Sequence, residues 1–316
     1  MDISLVEQKV TSELPNEIDC LIVCAGFEDR CLSMPEYLSP KRVKNIGLFS
    51  YLQFDEHCNH RKQLFRDKFD CKEYVFDNSE PHSIADKLVE CFSNMGEFDN
   101  NPNLVVDISS FTRETILIIL KLVELNKHKF SEVYFFYRKA NVSDSLSDGV
   151  INIRSILGYM GDSDPGKPIH LIVLSGFEYE RARGIIDIIE PAKISIGLGS
   201  ESESINDSLC KKNKEFTNKL LAYYSEDDLS VFEHSLINPV DAKNQIESIV
   251  EKYPEHNVVV APLNNKVSTV AAGLLAIEHE DIQLTYSQMA SYNLIDYSEP
   301  IDDCIILDVN ALLKKC

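Results

Sequence analysis

Short apolar runs, many of them β-branched, alternate along this chain with longer segments whose apolar positions recur every three or four residues. In the first 140 residues the runs predict strands near 20–25, 44–50, 73–77, 103–108 and 131–137, and the longer segments predict helices near 28–37, 57–69, 82–95 and 111–126. The strands are continuous apolar runs, as expected where a sheet is covered on both faces. The run Ile116 to Leu120, with Leu122, Val123 and Leu125, is apolar almost all round, so its helix is expected to be covered on most sides. Strands alternating with helices predict a parallel sheet, and the fold class is α/β, doubly wound and Rossmann-like.

The pattern then repeats. DCLIVCAGFEDR from Asp19 resembles IHLIVLSGFEYER from Ile169, and RVKNIGLFSY from Arg42 resembles AKISIGLGSES from Ala192; in both pairs the aligned glycines, Gly26 with Gly176 and Gly47 with Gly197, lie 150 residues apart. CNHRKQLF from Cys58 and CKKNKEF from Cys210 continue the series, as do YVFDNSEP from Tyr74 and SVFEHSLINP from Ser230. NLVVDISSFTRETIL from Asn103 pairs with NVVVAPLNNKVSTVA from Asn257, and VYFFYRKA from Val133 with IQLTYSQMA from Ile282. Six blocks in one order, with offsets of 149 to 156, predict an internal duplication. The expected organisation is a first unit over 1–140, a linker over 141–167 where Ser, Asp and Gly cluster around INIRSIL, and a second unit over 168–316. The tail CIILDVNALLKK reads as a further strand and a short helix.

Composition narrows the function classes. The 316 residues are 44% hydrophobic with 12 Gly and 12 Pro, enough for a packed core and too ordinary for a disordered chain. A formal net charge of −20 repels a phosphodiester backbone, so duplex nucleic acid is not an expected partner. No apolar run reaches the roughly 18–20 residues of a membrane span, and MDISLVEQKVTSEL has no apolar leader core; the expectation is a cytoplasmic protein without a membrane partner. Nine cysteines, at 20, 24, 31, 58, 71, 91, 210, 304 and 316, include no CxxC pair, which fits reduced thiols better than a disulfide framework or a zinc ribbon.

Doubly wound sheets take ligands outside the carboxyl ends of their strands, where helix amino termini expose free N–H groups. The first such loop holds Gly26, Phe27 and Glu28, matched in the second copy by Gly176, Phe177 and Glu178. A glycine there permits a tight turn or a close backbone approach, and the glutamates are either ligand contacts or acids suited to a first helical turn. Neither GxGxxG nor GxxxxGK[ST] occurs, so no dinucleotide cofactor is expected. The loop after the fourth strand is richer: Asp107 ends the strand, Ser109 or Ser110 is placed to cap the helix, and Thr112 and Arg113 sit in its first turn. An arginine opposes the helix dipole there, a cost that a bound anion would reverse. The second copy offers Asn264, Asn265 and Lys266 instead, without the aspartate. Arg138, just after the fifth apolar run, is expected close to the same loop.

The heptapeptide DISSFTR at 107–113 resembles the D-[IL]-[ST]-G-G-T-[KR] loop of the CRISPR-associated Rossmann fold (CARF) domains, with Ser110 and Phe111 where that pattern has two glycines. Such domains bind cyclic or linear oligoadenylates between paired Rossmann units, and the related SAVED domains fuse two units in one chain. The resemblance implies that Ser109, Thr112 and Arg113 hold a ligand, with Gly26 and Phe27 lining the other loop. It also implies a sensor in bacterial defence that acts through a protein effector.

Other chemistries are less well supplied. His57 and His60 lie one turn apart, yet the second copy has no such pair and no HExxH exists, so no metal site is expected. GxSxG is absent, and His234 is the one histidine at a strand end. Metal-independent phosphodiester cleavage by Ser109, Thr112, Arg113 and Arg138 is an alternative to sensing, and an acidic scaffold subunit without a small ligand is a third reading. No catalytic residue is assigned. The cations Arg61, Lys62 and Arg66, and Lys211, Lys212 and Lys214, read as solvated helix faces.

Overall fold

The computed structural model describes residues 3–94, 101–224 and 229–315; Met95, placed above in a helix, and Cys316 lie outside them. The elements run in chain order as α1 (Leu5–Glu13), β1 (Ile18–Cys24), a 3-10 turn (Asp29–Leu32), α2 (Ser33–Tyr37), β2 (Val43–Tyr51), α3 (Asp55–Lys68), β3 (Lys72–Phe76), α4 (Pro81–Asn94), β4 (Leu104–Asp107), α5 (Arg113–Leu125) and β5 (Val133–Val142). Next come β6 (Ser147–Ser155), β7 (Ile169–Leu174), α6 (Tyr179–Ile189), β8 (Lys193–Gly199), α7 (Asp207–Tyr223), β9 (Leu229–His234), α8 (Pro239–Val250), β10 (Asn257–Pro262), α9 (Lys266–Glu278) and β11 (Gln283–Tyr292). The chain closes with β12 (Ser298–Asp308) and α10 (Val309–Leu313), the strand and short helix expected of the tail.

These elements build two α/β units. One sheet has the order β3-β2-β1-β4-β5-β12, the other β9-β8-β7-β10-β11-β6, and in each the first five strands are parallel and the last is antiparallel. This is the Rossmann-like, doubly wound order, present in both halves. No described helix is long and apolar enough to cross a membrane.

The sixth strands differ from expectation. β6 follows β5 in the chain but pairs with β11, with Arg154 opposite Tyr286, while β12 follows β11 and pairs with β5, with Cys304 opposite Arg138. The units are therefore Met1–Ser143 with Leu294–Lys315, and Asp144–Asn293, so the limits expected at 140 and 168 give way to an exchange of edge strands. Residues 147–155 read as linker because all of them are part-buried or exposed, as on an edge strand bonded along one side only.

In the first unit Val6 and Val10 of α1 are fully buried, one helical turn apart, in a core with Leu21, Val23, Met34, Phe65 and Phe136. The two chain ends meet there: Asp302 accepts hydrogen bonds from the Ser4 hydroxyl and the Leu5 N–H, and Lys9 bridges Asp303 at 2.8 Å and the Cys304 carbonyl at 2.7 Å. The helix expected over 28–37 splits into the 3-10 turn and α2, which contains Pro35, a residue with no N–H to give a ladder. A second cluster stacks Phe49 on Tyr74 and Phe76, with ring centroids 4.9 and 4.7 Å apart, and Phe111 joins it at 6.0 Å. The second unit packs Leu171, Val173, Ile185, Ile196, Phe216 and Val259 in its own core.

Candidate functional site

At the carboxyl ends of the first sheet, β4 delivers Asp107, which is 2% exposed. Its Oδ1 accepts the Ser109 N–H at 2.9 Å, and its Oδ2 is buried without a partner. Burial pushes this carboxyl up to about 7, against the opposing pull of its Ser109 hydrogen bonds and of the Arg30 and Arg138 guanidiniums. Arg30, in the 3-10 turn after β1, is paired with Glu28 at 2.7 Å while its Nε is left without a partner. Arg138 on β5 lies over the Tyr37 ring at 5.3 Å, donates from Nε to the Ile301 carbonyl of β12, and also leaves Nη1 unpartnered.

The hydroxyl-rich loop divides its labour. Ser109 is fully buried and its hydroxyl accepts the Arg138 N–H at 2.8 Å, so it ties β4 to β5. The helix cap is Thr112, which accepts the Thr115 N–H at 3.2 Å; neither serine caps α5. Thr112 in turn donates its N–H to the Tyr51 hydroxyl at 2.8 Å, and that hydroxyl lies 2.9 Å from Thr115 Oγ1. Tyr51 thus pins the start of α5 to the end of β2. Ser110 keeps a buried, unpartnered Oγ, and Arg113 is the first residue of the helix.

Gly26 and Phe111 set how this loop packs. Phe111 is fully buried in the aromatic core, anchoring the backbone from below. A Cβ on Gly26 would stand 2.9 Å from Ser110 Cβ, so the facing loop supplies the missing space. Phe27, beside it, is half-buried.

The second unit repeats the layout with different groups. A Cβ on Gly176 would meet the Leu263 carbonyl at 2.1 Å, so this glycine serves the approach of its own neighbouring loop. Asn264 donates to the Ser175 carbonyl at 2.5 Å, Asn265 caps α9 by accepting the Ser268 N–H at 2.9 Å, and Lys266 opens that helix. Asn213 of α7 ties the loop after β7 to the end of β8, donating to the Ser175 and Gly176 carbonyls and accepting the Gly199 N–H at 3.1 Å. His234 is fully buried with Nδ1 3.1 Å from the Ser235 carbonyl, and burial lowers its basicity. Phe177 is half-buried.

Glu28 and Glu178 take the same part in the two units. Glu28 is held by Arg30 and receives the hydroxyl of Ser298, at the start of β12; Glu178 is held by Arg181 at 2.9 Å and receives the hydroxyl of Ser147, at the start of β6. Both arginines are within a few residues of GFE in the sequence, which was the available signal. Their burial, and the seryl partner more than thirty positions away, were not readable locally.

Other charged groups are internally matched. Arg61, Lys62 and Arg66 pair with Asp29, Asp55 and Glu73, and Lys211, Lys212 and Lys214 with Glu215, Asp144 and Glu201. His57 and His60 are exposed. Glu247, Glu278 and His279 come together, but Lys243 is paired with both carboxylates and supplies the countercharge. A cavity of about 390 Å³ at the amino ends of β2 and β3, lined by Lys44, Gly47, Cys71, Lys72, Tyr74 and Cys91, contains none of the strand-end residues. No protein-family model matches the sequence, and no curated protein matches it.

Proposed function

We propose that this protein is a sensor that binds a nucleotide signal at the carboxyl-end loops of its Rossmann-like units. One observation carries the reading: Asp107 Oδ2, Ser110 Oγ, Arg30 Nε and Arg138 Nη1 are all buried without partners around one strand end. Each unmet buried group costs about 1–3 kcal/mol, and the four belong to the corner where this fold class takes ligands. Arg113 places a cation in the first turn of the 13-residue helix α5, beside that corner. The resemblance of DISSFTR to the CARF loop supports an oligonucleotide, cyclic or linear, as the ligand, a protein effector as the partner, and a role in bacterial defence. The repeated sequence blocks and the matching strand orders support two related loops per chain with unequal charge, Asp107 and Arg113 in one and Asn264, Asn265 and Lys266 in the other.

Turnover is the second reading, favoured by Asp107, whose carboxyl sits near 7 and is suited to proton transfer. The test is a thermal-shift panel of nucleotides and cyclic oligonucleotides with mass spectrometry of the products. A ligand at a hundredfold its Kd adds about 2.7 kcal/mol of stability. Stabilisation with intact ligand supports the sensor, shortened products support the enzyme, and silence across the panel returns the scaffold. Arg113→Ala is expected to abolish the shift, with unfolding of the unliganded variant measured alongside it.

A further inference from the structure

We propose that the first unit alone holds a nucleobase, in an aromatic recess formed by Phe27, Phe54 and Tyr297. This rests on the nucleotide reading of the same corner and specifies where the base, as opposed to the phosphate, is recognised. Phe27 follows β1, Phe54 follows β2 and Tyr297 immediately precedes β12, so three separate segments bring their rings together. Phe27 stands edge-on to Phe54 at 5.2 Å and to Tyr297 at 5.4 Å. All three are half-buried, whereas the core rings Phe49, Phe76 and Phe111 are fully buried, so the recess keeps aromatic surface at the solvent boundary. Partly exposed rings of this kind stack on bases whatever their identity.

Tyr51 links the recess to the anion-binding corner. Its ring lies 6.5 Å from that of Phe54, and its hydroxyl holds the Thr112 N–H at the start of α5. A base against Phe54 and a phosphate at the amino terminus of α5 are thus one residue apart in the packing. The second unit has the anion end without the base end. Phe177 corresponds to Phe27 but has no ring partner among the described residues, the segment 200–206 after β8 is SESESIN, and the residue before β6 is Leu146. One base per chain is the consequence.

Calorimetric titration with ATP, cyclic di-adenylate and inorganic tripolyphosphate tests this on the full chain. Phe54→Leu and Tyr297→Leu are expected to weaken the adenine nucleotides at least tenfold and leave tripolyphosphate unchanged, while Phe177→Leu changes nothing. Thermal unfolding of each variant without ligand reports whether the fold is kept, and Phe27→Leu is expected to weaken the adenine nucleotides in the same way. Nucleotides that bind with the same affinity to Phe54→Leu and Tyr297→Leu, or no more tightly than tripolyphosphate, overturn the recess and leave the nucleotide reading standing. Failure of both nucleotides to bind the wild-type chain overturns both.

Discussion

The hydroxyl of Ser298 reaches Glu28 across 270 positions of sequence, and Glu28 is also the carboxylate that holds Arg30 inside the first unit. This trio, with Glu28 and Arg30 buried and Ser298 half-buried, joins the loop after β1 to a strand that arrives from the far end of the chain. The same trio, Ser147, Glu178 and Arg181, joins β6 to the second unit. Edge strands held this way contribute to each unit's stability, and β12 does so from a segment not contiguous with the rest of its unit.

Glu28→Ala is expected to destabilise the protein by about 3–5 kcal/mol, because it leaves the Arg30 guanidinium buried and uncompensated. Ser298→Ala removes one hydrogen bond to a charged acceptor and is expected to cost about 1.5–3 kcal/mol. Urea unfolding of the two single variants and the double variant measures both, and coupling between them is required by the shared carboxylate. Additive costs would separate Ser298 from Glu28.

The two loop glycines separate under the same substitution. Gly176→Ala sets a Cβ against the Leu263 carbonyl, a backbone atom, and is expected to cost more than the ~1–3 kcal/mol typical of overpacking. Gly26→Ala meets only the Ser110 side chain, so Ser110→Gly in the same chain should recover most of its loss. Thermal denaturation of the single and paired variants decides it; no recovery would mean that Gly26 answers to something other than Ser110.

His170 is fully buried with Nε2 2.8 Å from Ser195 Oγ, and burial, with His256 and Lys193 nearby, lowers its pKa from 6.5 to about 4. The unfolded chain therefore takes up this proton first. The contribution is whole above pH 6.5 and is lost as pH falls towards 4, to a limit of about 3 kcal/mol. His170→Gln keeps a partner for Ser195 and is expected to flatten the acid limb of stability over that window; the lowered His234 contributes slope of the same sign.

Asp107 acts in the opposite direction. Its pKa is raised by burial from 3.8 to about 7, so its neutral form belongs to the folded state and the contribution, whole below pH 3.8, is lost as pH rises to about 7. Asp107→Asn is expected to make the unliganded protein more stable than wild type at pH 8 and to change little at pH 4, read by unfolding at the two values. A uniform loss at both would show that the carboxyl is needed for packing.

Five parallel strands per half and the helices between them were legible along the chain, because continuous apolar runs and helical spacing depend on neighbours within a few positions. The spacing of GFE and of the strand-end loops was legible for the same reason, as was the contrast between Asp107 and Asn264. The helix cap was not, since Ser109, Ser110 and Thr112 all suit it chemically; Ser109 is drawn away by the Arg138 N–H and only Thr112 is at the turn. Arg30 and Tyr51 escaped notice because their roles are set by partners far along the chain or by depth in the fold. Sheet membership of β6 and β12 was the least legible of all. An edge strand presents the same half-exposed pattern to either sheet, and its choice is made by pairing energy along a partner more than a hundred residues away.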